Sequence, residues 1–252
     1  MIIIVVIVTI ILLILGLVVF LIVRNHKTTE KYKDLQKNPD YKGRKVIDIK
    51  PNFKLNAYCI NLKHKRHYMK FIREEWKDFL NIKRFNALDS CTKSHCKLFQ
   101  DIWSRKEKER FPLVIMEDDV YRRNNFTKYW NKLLDIKNCD YVPFDAFYLK
   151  FRPSQSGVPS GFVSLLKHNM TGFAVFYKRF FDRFDSVSDI KKICIKLIDM
   201  NFTHNPKFIN FTPREQVVRQ IVSKKSESNN QVTKDYNIIY DEAEKKLSTL
   251  PF

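Results

Sequence analysis

Glu117, Asp118 and Asp119 form the part of the chain whose chemistry is easiest to name: three consecutive carboxylates directly after four large apolar residues, Leu113-Val114-Ile115-Met116. An unbroken apolar run of that length, opened by Pro112 and closed by acids, predicts a buried strand. In open α/β sheets ligands bind in the crevice beyond the carboxyl ends of the strands, which is where these acids are expected. If the chain stays extended, Glu117 and Asp119 project to one side and Asp118 to the other. Hard divalent cations such as Mg²⁺ or Mn²⁺ take a few carboxylates together with phosphate oxygens and water. The chemistry expected of the cluster is therefore to hold a cation against a diphosphate. A polar turn after a buried strand explains one or two acids, but three in succession in a basic protein fit it less well.

The elements that would position the acids follow from periodicity. Ala57-Tyr58-Cys59-Ile60 suits a buried strand, and Met69, Ile72, Trp76 and Leu80 follow at helical spacing, which together predict a βα unit. Ile82–Phe85 is expected as a second strand. Ser94 is the expected N-cap of a helix with Leu98, Phe99, Ile102 and Trp103 on one face. Phe126, Trp130, Leu133 and Leu134 mark another helix, and Ala146–Leu149 another strand. Phe151–Gly161 reads as a loop, Gly172–Tyr177 as a strand, Ile190–Met200 and Pro213–Val222 as helices, and Ser223–Asp235 as a polar segment suited to disorder or to a lid. The alternation predicts an α/β domain with a mostly parallel sheet and covering helices. The expected organisation is an anchor over residues 1–23, a basic stem over 24–55, a catalytic domain over 56–222 and a polar C-terminal segment over 223–252.

The anchor rests on Ile2–Val23, which contain no charged side chain. Twenty-two helical residues reach about 33 Å, enough for a hydrocarbon core of about 30 Å. A cleaved signal peptide fits less well, since the segment lacks a basic start and a small-residue cleavage site. The expectation is one transmembrane helix. Arg24, His26, Lys27, Lys31 and Lys33 follow it and by the charge rule place the next domain in the cytosol. Sequons at Asn125, Asn169, Asn201 and Asn210 argue the other way. The whole chain carries 46 basic and 27 acidic residues, a formal charge of +19, so an anionic partner is favoured. The lysines are scattered rather than striped, and no nucleic-acid partner is expected. Five cysteines without paired CxxC spacing indicate neither a disulfide framework nor a zinc site.

Several segments, in order, resemble glycosyltransferase family 25, which includes lipopolysaccharide glycosyltransferases and procollagen galactosyltransferases. Tyr58-Cys59-Ile60-Asn61-Leu62 resembles the family's opening strand, and Phe85-Asn86-Ala87-Leu88-Asp89 its Ala-x-Asp segment. Cys91-Thr92-Lys93-Ser94-His95 resembles its Gly-Cys-x-x-Ser-His helix, Pro112–Val120 its Glu-Asp-Asp strand, and Met170–Val175 its Thr-Gly-x-x-Ala-Tyr segment. The similarity runs from about Asn56 to Val222. It departs at Lys63-His64-Lys65-Arg66-His67, where the family's Asp-Arg pair lacks its acid, and at Ser90, where a longer glycine-containing loop is compressed. The resemblance implies a GT-A type fold, a nucleotide-sugar donor such as a UDP-sugar, a divalent metal, a protein or glycan acceptor and inversion at the anomeric carbon. It also implies the lumen of the ER or Golgi, against the charge rule.

On that footing Asp119 is the expected principal metal ligand and a catalytic residue, with Glu117 and Asp118 shared between the metal and the donor ribose. Asn61, Arg66, Ser94, His95 and Asp118 are the expected donor-binding residues. Inversion needs a base for the acceptor hydroxyl, for which Asp145 and Asp199 are candidates because each adjoins an apolar run. A metal-dependent phosphoryl-transfer enzyme or nuclease would also use clustered acids, although no second cluster of comparable density is present. A non-catalytic membrane protein retaining the fold is the other alternative.

Overall fold

The structure is a computed structural model and describes residues 9–21, 50–66, 68–152, 157–169, 172–194, 205, 207–220 and 236–250. The chain divides into two compact units, Met1–Lys45 and Val46–Phe252. In the first, residues 9–21 are helical. Among the described residues no helix is long and apolar enough to cross a membrane. The expected single-pass anchor is thereby corrected, and with it both membrane orientations that depended on it. The rest of the expected anchor and nearly all of the stem lie outside the described residues.

The second unit is a mixed α/β structure. Strand β1 (Leu55–Asn61) leads through a single 3-10 turn to helix α1 (Tyr68–Trp76), β2 (Leu80–Asn86) and helix α2 (Cys91–Trp103). Strand β3 (Leu113–Glu117) then ends at the acids, and the chain turns into β4 (Val120–Arg122) and the short helix α3 (Phe126–Trp130). Strands β5 (Tyr141–Pro143), β6 (Phe147–Phe151), β7 (Phe162–Asn169) and β8 (Phe173–Phe176) follow, with helices α4 (Lys178–Asp182) and α5 (Val187–Cys194) after them. The described chain finishes with β9 (Phe211–Pro213), β10 (Val218–Gln220) and helix α6 (Tyr236–Ser248).

The main sheet has five strands in the order β2-β1-β3-β8-β5. Its β2-β1-β3 block is parallel, and β8 runs antiparallel to both β3 and β5. A second sheet pairs β4 with β10, and a third has the order β6-β7-β9. Residues of β3 alternate between two buried faces, which is why its sequence is continuously apolar rather than alternating. Leu113 and Ile115 pack with Leu98, Phe99 and Ile102 of α2 and with Phe180, Phe181 and Ile190. Around Trp76, with 0% of its surface exposed, an aromatic cluster is built by Phe173, stacked at 4.6 Å, and Phe126, edge-on at 5.1 Å.

Three local expectations are corrected. Helix α1 stops at Trp76, and Leu80 opens β2 instead of extending the helical face. The N-cap of α2 is Ser90, whose side chain accepts from the Lys93 amide; Ser94 lies a turn inside the helix. The segment expected as a helix from Pro213 holds strand β10 and the end of β9. Strands β4, β5 and β7 carry no counterpart in the sequence expectations. The Ser223–Asp235 segment lies outside the described residues.

Candidate functional site

Strand register sets the site. In the parallel β1–β3 pair Ile60 is level with Glu117, so Asn61 at the end of β1 stands level with Asp118. Asn61 is fully buried and its Nδ2 donates to Asp118 Oδ2 and to the Lys65 carbonyl. Arg84 Nε in turn donates to Asn61 Oδ1 at 2.6 Å. The amide is thus engaged at both ends and serves to orient Asp118, a different role from the donor contact expected of it.

The three acids have three environments. Glu117 is half-buried and engaged at both oxygens: Gln220 Nε2 donates to its Oε2 at 2.9 Å, and the Cys91 thiol donates to its Oε1 at 3.3 Å. Asp118 is buried, and desolvation pushes its carboxyl up to about 6, opposed by the Asn61 hydrogen bond and the Lys65 charge. Asp119 keeps some residue-level exposure, yet its Oδ1 is sealed from solvent without a hydrogen-bond partner. Desolvation, then the charges of Glu117 and Asp118, hold the Asp119 carboxyl well above the usual carboxylate range. Asp119 is thus desolvated at the strand end. The two desolvated aspartates have Lys65, in the turn after β1, as the cation that most lowers both.

Other expected site residues are dispersed. Ser94 is buried, donates to the Ser90 carbonyl at 2.7 Å and accepts from the Leu88 amide at 2.9 Å, so it ties the β2–α2 loop to the helix instead of meeting a donor. His95 is 1% exposed, with Nδ1 3.4 Å from Cys91 Sγ and 3.1 Å from the Cys91 carbonyl. Arg66 is exposed after the 3-10 turn. Asp145 is fully buried, which removes it as a base for an acceptor arriving from solvent. Asp199 and the Asn201 sequon lie outside the described residues. The Asn210 sequon is 1% exposed and donates to the Tyr141 hydroxyl, and Asn125 donates to Glu215 at 2.7 Å.

Helix α6, which has no counterpart in the sequence expectations, packs over β6 and β7. Ile239, Tyr240, Ala243 and Leu247 make an apolar face against Phe147, Leu149 and Leu165 of β6 and β7. Burial pushes the Tyr240 phenol up, with Asp145 and then Asp119 adding to the effect, so the ring sits within the field of the acids. Arg219 Nη2 fastens the helix through Asp241 at 2.9 Å and Glu244 at 3.0 Å. The i, i+1, i+4, i+8 spacing of the apolar face was the available signal.

No protein-family model and no curated protein matches the chain. Among solved structures it is similar to "A197 from STIV", at 12% identity and a TM-score of 0.43, over 68% of this chain and 87% of that one. A similarity of that size fixes neither fold nor activity.

Proposed function

We propose that the protein is a metal-dependent glycosyltransferase of the GT-A type, moving a sugar from a nucleotide-sugar donor to a protein or glycan hydroxyl. The observation that carries this reading is the pair Asp118 and Asp119, desolvated at the carboxyl end of the parallel β2-β1-β3 block. Burying two carboxylates side by side is unfavourable unless a cation is paired with them. The orphaned Asp119 Oδ1 and the elevated Asp118 carboxyl fit a hard divalent ion as the partner. Asp118 and Asp119 would hold Mn²⁺ or Mg²⁺, while Glu117 adds charge from alongside. Bound there, the ion would supply neutralisation of the leaving diphosphate.

The remaining residues have positional roles. Asn61 fixes the Asp118 carboxylate, Arg84 fixes Asn61, and Lys65 adds positive potential where the diphosphate would lie. Tyr240, on α6, is buried within the field of Asp145 and Asp119. Sugar transfer, rather than phosphoryl transfer, is supported by the resemblance of the Pro112–Val120 strand and the Cys91–His95 helix start to family 25.

Calorimetry of UDP binding to the full chain, with Mn²⁺ and then with excess chelator, tests the proposal. Binding should require the metal, because carboxylates alone repel a diphosphate. Binding indifferent to chelator would remove the role given to Asp118 and Asp119. Cleavage of a nucleotide sugar to a nucleoside monophosphate and a sugar 1-phosphate, instead of sugar transfer, would favour a phosphoryl-transfer enzyme.

A further inference from the structure

The side chains of Cys91, His95 and Glu117 converge on a second place. They are the only His, Cys, Asp or Glu trio among the described residues whose ligand atoms lie within 4.8 Å of one another. Cys91 and His95 stand four apart on α2, hence on one face of the helix, and Glu117 reaches them from the end of β3. We propose that these three side chains form a zinc site, separate from the Asp118–Asp119 pair and independent of the glycosyltransferase reading.

Separation between donor atoms is the first support. Zinc bonds of about 2.3 Å to sulfur and about 2.0 Å to nitrogen or oxygen, at tetrahedral angles, place neighbouring donors about 3.5 Å apart. Cys91 Sγ lies 3.4 Å from His95 Nδ1 and 3.3 Å from Glu117 Oε1. The second support is the imidazole. His95 is 1% exposed and its Nδ1 faces the Cys91 thiol, so the ring is already oriented toward the place the other two donors share. A cation there would take the Nδ1 lone pair and leave the proton on Nε2. Cys91 is also the first residue of a 13-residue helix capped by Ser90, where the helix amino terminus favours the thiolate that a metal needs.

The surroundings complete a metal site of the usual kind. Gln220 Nε2 holds the other Glu117 oxygen, fixing the carboxylate as an outer partner does in established zinc centres. Cys91 is exposed, which gives the ion a route in. A thiolate, an imidazole and a carboxylate select Zn²⁺ over Mg²⁺ or Mn²⁺, so the two places differ in the metal they take. Three protein ligands leave a fourth position open. The cysteine spacing gave no hint of such a site, because two of its ligands are not cysteines and one comes from a different element.

Cobalt is the probe. Titration of the full chain with Co²⁺ should develop a thiolate-to-cobalt charge-transfer band at one equivalent, and Zn²⁺ should abolish it. Cys91→Ser should remove the band and weaken Zn²⁺ binding by more than about 100-fold, since even loss of an outer partner costs 10–100-fold. Cys91 is exposed, so this variant is expected to fold; in the unmutated protein, Zn²⁺ should slow iodoacetamide alkylation of Cys91, read by peptide mass spectrometry, at least about tenfold. The double variant Asp118→Asn with Asp119→Asn should keep the band while losing Mn²⁺-dependent UDP binding. No band in the unmutated protein, a band that survives Cys91→Ser, or alkylation indifferent to Zn²⁺ would each overturn the proposal. Loss of the band in the double aspartate variant would overturn the separation of the two places.

Discussion

Two adjacent carboxyls held above their ordinary range make the end of β3 sensitive to protons and to cations together. Asp118 titrates near 6 in the fold, against about 3.9 for an unperturbed aspartate. A carboxyl raised in this way contributes stability below its unfolded pKa and loses that contribution as pH rises through its folded pKa. The stability of the metal-free protein relative to Asp118→Asn should therefore fall between about pH 4 and pH 7. Over the same interval its affinity for Mn²⁺ should rise, as the cation displaces the proton. Denaturant unfolding and calorimetry at several pH values check both signs, and pH-independent behaviour would show that Asp118 is solvated. Asp119→Asn should lower transfer about 10²–10³-fold while leaving the melting temperature unchanged or raised, because an amide relieves repulsion with Glu117 and Asp118. Activity assay and thermal melt on one preparation check it; collapse of the fold would make Asp119 structural. The acids and their place at a strand end were legible in the sequence, because a continuous apolar run closed by charge is the pattern of a buried strand that ends at the surface. Their division of labour was not. Glu117 is engaged by Gln220, 103 residues away, and no local pattern encodes that contact.

Elements were legible where one physical signal dominated. Strands β1, β2, β3 and β8 came through as short apolar runs, and α2 as a helical face. The cap of α2 was misplaced because Ser90 and Ser94 are both chemically competent, and only geometry shows that Ser90 accepts from Lys93 while Ser94 bonds backward to the Ser90 carbonyl. Ser90→Ala should cost about 1 kcal/mol, the usual value of a cap. Ser94→Ala should cost about 1–3 kcal/mol, since the Leu88 amide loses its acceptor in a partly buried place. Urea unfolding checks the pair, and a larger loss at position 90 than at 94 would reverse the order. Residues 213–220 were misread because Val217 and Val218 also suit a helical face, whereas β-branched residues pack well on a sheet and β4 supplies an antiparallel partner. Helix α6 escaped because its flanks are polar, and what docks it is Arg219 beneath Asp241 and Glu244. Arg219→Ala should cost about 1–2 kcal/mol, toward the low end because both acids are solvent-exposed. If the variant also weakens Mn²⁺-dependent UDP binding, α6 is a working wall of the site.

At the scale of the whole molecule, the unit from Val46 onward contains every described strand, both named hydrophobic clusters and both candidate sites. Its buried residues run from Leu55 in β1 to Leu247 in α6. Each layer has its own support: α2, α4 and α5 against one side of the main sheet, the Trp76 aromatic cluster, and α6 over the β6-β7 pair. About 200 residues suffice for a self-sufficient core, and stability in such a unit follows from area buried within it. A chain beginning at Val46 should therefore unfold cooperatively in urea, with a free energy within about 0.5 kcal/mol of the full chain, the usual range for changes away from packed groups. It should retain the thiolate–cobalt band and the metal-dependent UDP binding expected of the complete protein. Ionic strength must be matched between the two preparations, because a chain of formal charge +19 repels itself and salt screens that repulsion. A broad or absent unfolding transition in the shortened chain would show that residues 1–45 complete the core. A sharp transition with loss of UDP binding alone would instead place part of the donor site in those residues, and the assignment of that site to the carboxyl edge of β1 and β3 would fail.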